Sequence, residues 1–89
     1  MVTIWNEDSI GDSVALATEL RSEGLRVDVY PEADKMGKQF KYASSRSIRF
    51  VAIIGDDERA RGEVAIKDMQ SGEQRSMERN KVADAIRRT

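Results

Sequence analysis

Residues 48–74 read IRFVAIIGDDERARGEVAIKDMQSGEQ, and their pattern decides the fold. Phe50, Val51, Ala52, Ile53 and Ile54 form an unbroken apolar run stopped by Gly55. A short run this rich in β-branched residues and closed by glycine predicts a strand buried on both faces. Residues 56–62, DDERARG, read as a charged turn. Residues 63–69 read as a second strand, Ser71 and Gly72 as a turn, and residues 73–77 as a third strand returning alongside. A central strand that ends in a charged loop is where α/β proteins commonly place their contacts.

Upstream, residues 2–5 form a short apolar segment with strand character. Asp8 or Ser9 can cap a helix in which Ile10, Val14, Ala17 and Leu20 recur at helical spacing, with Leu16 widening the stripe. Gly24 ends it, and Leu25 just beyond can touch Leu20. Leu25, Val27 and Val29 then alternate with Arg26, Asp28 and Tyr30, a strand with one wet face at a sheet edge. Pro31 lacks an amide donor and stops it. A second helix spans residues 34–45 on a stripe of Met36, Phe40 and Ala43. At the other end, Asn80 can cap a last helix with Val82, Ala85 and Ile86 inward.

The order β-α-β-α-β-β-β-α predicts a largely parallel start with helices on both faces. If the first strand lies between the second and third, the carboxyl ends of the first and third strands flank a crevice. Trp5, Asn6, Gly55 and Asp56 then sit at its mouth, Trp5 being read as core or sheet cover ahead of a stacking platform.

Composition narrows the chemistry. With 89 residues the chain suits one domain with one modest core. It contains no cysteine and no histidine, which removes disulfides, thiolate metal sites and the commonest general base at neutral pH. No apolar run approaches the roughly 20 residues that cross a bilayer, and the start lacks the basic residues of a signal peptide; a cytoplasmic protein is the expectation. Net charge is −1, so bulk electrostatics give no case for nucleic acid. The distribution says more: residues 35–54 carry Lys35, Lys38, Lys41, Arg46 and Arg49 and no Asp or Glu. That stretch is either a solvated helix face or a local phosphate-binding patch.

Catalysis is hard to build from these residues. Asp56, Asp57 and Glu58 are the one acidic cluster that could hold Mg²⁺, and consecutive acids in a turn more often face water. Asp56 could resemble the phospho-acceptor of a receiver domain, but Gly55 precedes it and an acidic pocket after the first strand is missing. Ser44, Ser45 and Ser71 have no histidine or convincing lysine partner. No glycine-rich phosphate loop of standard pattern occurs. No catalytic residue and no metal site is therefore expected. A binding surface is easier: on this topology Glu58, Lys67 and the basic second helix lie near one another, with Glu58 and Lys67 side by side. Glu58 can accept from the edge of a guanine, and Lys67 can donate to a base or a phosphate, most readily in single-stranded loops.

The ordered set Lys35-x-x-Lys38-Gln39-Phe40-x-x-Ala43, Val51-Ala52-Ile53-Ile54-Gly55-x-x-Glu58 and Gly62-x-Val64-x-Ile66-Lys67-Asp68-Met69-x-Ser71-Gly72-Glu73-Gln74 resembles the anticodon-binding domain of the class IIa aminoacyl-tRNA synthetases. The ending, Lys67 to Gln74, is most similar to the histidine-specific branch. The upstream Ala15-x-Ala17-x-x-Leu20-Arg21-x-x-Gly24-x-Arg26-Val27 fits the same pattern, so the likeness covers nearly the whole chain.

The resemblance implies a three-layer α/β/α domain with a five-stranded mixed sheet, order 2-1-3-4-5, strand 4 antiparallel. It implies that residues 1–89 are a single domain cut from the C-terminal end of a larger synthetase. The function would be to hold the anticodon loop of histidine tRNA for a catalytic domain outside this chain. ATP and Mg²⁺ would belong to that domain, with no cofactor here. The parent ligase would be a homodimer with no membrane contact. The anticodon-binding residues carried over are Glu58 and Lys67, with Lys35, Lys38, Gln39 and Lys41 as the backbone-facing and polar set. The threonine-specific relatives have Arg at the position of Lys67, so a forked contact becomes a point charge. They have Asn where this chain has Ala33. Relatives of the domain also serve as protein-interaction modules, the competing reading.

Overall fold

The computed structural model describes residues 1–88. A 3-10 turn, Glu7–Ser9, leads into α1 (Ile10–Ser22); α2 (Met36–Ser45), β1 (Phe50–Ile53), α3 (Asp56–Arg61), β2 (Glu63–Asp68) and β3 (Gln74–Glu78) follow. A second 3-10 turn, Arg79–Lys81, enters α4 (Val82–Arg87). The strands form one antiparallel sheet in the order β1-β2-β3, with Val51 opposite Lys67, Ile53 opposite Ala65, and Val64 opposite Met77. Val51, Ala52 and Ile53 are all buried, as the apolar run requires.

The sheet has three strands rather than the five expected. Val2 does lie between Val29 and Ala52, parallel to both, but each pairing is a single bridge. On one side Val2 N–H donates to Asp28 C=O and Tyr30 N–H donates to Val2 C=O. The next rung would use Ile4, but the buried amide of Gln39 takes that residue's N–H and C=O, both at 2.8 Å. On the other side Thr3 N–H reaches Ala52 C=O, while Thr3 C=O accepts from the Ser13 hydroxyl at 2.9 Å. Side chains thus satisfy the backbone groups that would have extended both ladders.

Each sheet face has its own core. Leu16, Ala17 and Leu20 of α1 and Val82 and Ala83 of α4 pack on Ala52, Ile54, Val64 and Ile66. On the opposite face Ala43, Met36 and Phe40 of α2 pack on Val51, Ile53 and Ala65. The period-two alternation of strand side chains produces this division.

Two local expectations are corrected, and a third holds in part. Residues 56–61 are a helix, not a turn. Its signals are Glu58 three residues after the Gly55 cap, acids in the first turn, Arg59 and Arg61 in the last, and Gly62 at φ 67, a conformation that glycine adopts without strain. Ile10 and Val14 are exposed, because α1 buries Ser13 with Leu16, Ala17 and Leu20 instead. Of the two expected caps, Ser9 holds the N-cap position of α1 but makes no side-chain cap bond there. It pairs instead with Asn6, whose carboxamide accepts from Ser9 N–H at 3.0 Å while Ser9 Oγ accepts from Asn6 N–H at 3.1 Å. The far end forms as expected, with Gly24 N–H on Arg21 C=O and Leu25 N–H on Leu20 C=O.

Candidate nucleic-acid interface

Because α2 buries Ala43 and turns Met36 and Phe40 to the sheet, Lys35, Lys38 and Lys41 stand in solvent. Tyr42 leaves the same helix to meet Tyr30 edge to face, centroids 5.4 Å apart, and Arg46 lies 4.7 Å over the Tyr42 ring. Burial first, then the Asp34 carboxylate, pushes the Tyr30 phenol above its ordinary value. Lys67 shares its strand face with Ala65 and so points to the α2 side, its ammonium 4.4 Å from the centroid of Phe40. Among the described residues, none of Lys35, Lys38, Lys41, Arg46 and Lys67 forms an ion pair.

Arg49 belongs to the same acid-free stretch but is taken. Its guanidinium lies 3.3 Å from Asp68, and that hydrogen bond, followed by the Gln70 amide, holds the Asp68 carboxyl below the usual carboxylate range. Elsewhere Arg59 reaches Asp12 at 2.7 Å, Arg79 reaches Glu19 at 2.9 Å, and Arg87 reaches Glu23 at 2.9 Å, while Arg26, Arg75 and Arg88 form no ion pair among the described residues. Arg75, Lys81 and Arg88 line a groove between β3 and α4 that also holds Asp84.

Gln39 is corrected. It was expected among the polar contacts to RNA, but it is fully buried, and its amide also donates to Asp34 C=O at 2.9 Å. It fastens the start of α2 to the segment at Ile4 and has no surface to offer.

Glu58 is partly committed. Its Oε1 accepts from Gly55 N–H at 3.0 Å, the glutamate half of a capping box, while glycine has no side chain to complete the other half. Its Oε2 lies 3.6 Å from Arg61, and the side chain is 18% exposed. A Cβ on Gly55 would come within 2.7 Å of Glu58 Oε1, so this cap depends on glycine.

Glu58 and Lys67 are not side by side. Lys67 pairs with Val51, and Glu58 caps at Gly55; four residues of extended chain, about 13 Å, separate those anchor points. The crevice mouth is formed as expected. Asn6 Nδ2 donates to Asp56 at 3.4 Å, and the Trp5 ring packs beside Gly55. Sequence reading missed the Tyr30–Tyr42 pair and the exposure of Trp5; the acid-free run was the one signal that led to Arg46. Among the described residues no cluster of three or more Asp or Glu is placed to hold a metal. Nor is any of their helices long and apolar enough to cross a membrane.

An acid-free helix thus covers one face of an α/β fold, with a capped strand end beside it. The family model described as the anticodon binding domain matches residues 2–89, and the chain belongs to that family. Its similar relatives are histidine–tRNA ligases. The chain is 43% identical to that of Xylella fastidiosa over 97% of its own length and 18% of the relative's. The corresponding value for Xanthomonas campestris pv. campestris is 41% over the same shares. Among solved structures, histidyl-tRNA synthetase from Nostoc sp. PCC 7120 superposes with a TM-score of 0.94 at 36% identity, over 98% of this chain and 21% of that one. The RNA binding domain of threonyl-tRNA synthetase from Cryptosporidium parvum Iowa II matches with a TM-score of 0.90 at 15% identity, over 98% of this chain and 22% of that one, a likeness of fold alone. The chain thus spans about a fifth of the length of the ligases it matches and aligns with their anticodon-binding part.

Proposed function

We propose that residues 1–89 are the anticodon-binding domain of a cytoplasmic, homodimeric histidine–tRNA ligase and hold the anticodon loop of histidine tRNA. The observation that carries this reading is the set of five cations on the α2 side, Lys35, Lys38, Lys41, Arg46 and Lys67, free of carboxylate partners among the described residues. Phosphates neutralise such a set with release of counterions, and this supplies affinity without sequence preference.

Selection of bases falls to Glu58 and Lys67. Glu58 keeps its cap with Oε1 and turns Oε2, loosely held by Arg61, to a donor on a base edge. Lys67 donates from a separate position along the sheet, so the two meet different nucleotides. The five-stranded arrangement of the family is approached here through the bridges of Val2 to Val29 and Ala52. The domain uses no cofactor of its own; ATP and Mg²⁺ serve the catalytic part of the longer enzyme. Titration with a histidine anticodon stem-loop and with the same stem carrying a scrambled loop tests this. Tighter binding of the first is expected. Equal affinity for both contradicts it.

A further inference from the structure

Trp5 is held in place without being buried. On one side the Gln39 amide clamps both backbone groups of Ile4. On the other, Asn6 is fixed through its N–H and carboxamide to Ser9 and through Nδ2 to Asp56. Between these anchors the indole rests beside Gly55, Cε3 and Cδ2 being 3.5 and 3.6 Å from where a Cβ would stand. Yet the residue is 42% exposed. Its indole N–H has no acceptor among the described residues. An aromatic ring fixed on both sides and open outward presents a flat apolar surface whose ordering cost is already met.

The surroundings say what that surface suits. Gln39 binds Ile4 and Asp34 together, so Lys35, the residue after Asp34, lies at the same end of the sheet as Trp5. Glu58 caps Gly55, the residue against which the ring rests. An unpaired cation, a carboxylate and a partly exposed aromatic ring thus stand at one end of the sheet. This set matches a phosphate, a base edge and a base plane.

We propose that Trp5 is a stacking platform for an unpaired nucleobase of the bound RNA loop. The proposal rests on the RNA-binding reading above and adds a base-contacting residue to it. Base–aromatic stacking is tolerant of base identity, so Trp5 supplies affinity and orientation while Glu58 supplies choice.

The chain contains one tryptophan, so its emission reports on this position alone. Trp5 fluorescence and the anisotropy of a labelled histidine anticodon stem-loop are followed in one titration, for the wild-type chain, Trp5→Ala and Trp5→Phe. Stacking predicts quenching that tracks binding, a loss of about 10-fold for Trp5→Ala, and retention within about 3-fold for Trp5→Phe, which keeps a ring. A scan of single abasic sites through the loop adds a pairing test: one position weakens wild type but leaves Trp5→Ala unchanged. RNA binding with unaltered emission and equal affinity of all three chains overturns the stacking role and leaves the interface standing. No binding of the stem-loop by anisotropy overturns both.

Discussion

On the α1 side of the sheet, Arg59, Arg79 and Arg87 each reach a carboxylate, Asp12, Glu19 and Glu23 in turn. On the α2 side, Lys35, Lys38, Lys41, Arg46 and Lys67 reach none among the described residues. Those three pairs satisfy their charges within the molecule and tie α1 to its neighbours. The α2 set leaves positive charge for a partner. The cores differ in the same sense. The α1 side packs Leu16, Leu20, Val64 and Val82 into an apolar cluster, whereas α2 rests on fewer apolar residues and on one buried amide. A chain with a net charge of −1 can therefore present a basic surface, because placement matters more than the sum.

The contrast in cores predicts the largest effects. Leu16 is fully buried, and Leu16→Ala should cost about 3–4 kcal/mol in denaturant unfolding, transfer and cavity terms together. Gln39→Leu should cost about 2–3 kcal/mol, because it strands the buried backbone groups of Ile4 and removes a donor from the half-buried Asp34 C=O. If Gln39→Leu were neutral, the α2 side would be held by packing alone.

Smaller effects come from the strand end. Glu58→Ala removes the α3 cap and should cost about 1 kcal/mol, while Glu58→Gln keeps an acceptor for Gly55 N–H and should unfold close to wild type. The same Glu58→Gln chain presents an amide where a base donor expects a carboxylate. It should lose preference for the cognate loop over a scrambled one. A loss of stability in Glu58→Gln equal to that in Glu58→Ala would remove the cap from the account.

The smallest is a matter of pH. Arg49 holds the Asp68 carboxyl below its ordinary value of 3.8, so the folded state binds this proton less readily than the unfolded chain. The stabilisation is present above that ordinary value and is lost as pH falls through the lower, folded value. Urea midpoints of wild type and Asp68→Asn taken from pH 6 downward should converge below about pH 4. A constant gap across that range would mean that Asp68 contributes nothing through its charge.

Much of this was legible in the chain. The run from Phe50 to Gly55 is too short and too apolar for anything but a buried strand, and Gly24 with Leu25 marks a helix end locally. The acid-free stretch from Lys35 pointed to the basic side directly. Polar residues whose burial depends on distant partners were not legible. Ser13 looks solvent-facing until Thr3 C=O, ten residues away, accepts its hydroxyl. Gln39 looks like a surface group until Ile4, 35 residues away, claims its amide. A stripe that leaves such residues out selects Ile10 and Val14 in their place, and both are exposed. Register is the other gap. Alternation gives strands but not which residue faces which, so Glu58 and Lys67 looked adjacent until Lys67 was found opposite Val51. The α3 signals were present, and the run of charge concealed them as a turn.

On the proposed function, the location of unpaired charge, not its amount, makes the RNA-binding face. Lys38 on α2 and Lys81 beside α4 are both exposed and free of ion pairs among the described residues, so their alanine variants change net charge equally. Affinity for the histidine anticodon stem-loop measured across a salt series gives the slope of log K against log salt for each. The account predicts that Lys38→Ala lowers the slope by about 0.7 and that Lys81→Ala leaves it at the wild-type value. Equal slopes for the two variants, or a drop in Lys81→Ala alone, would contradict it.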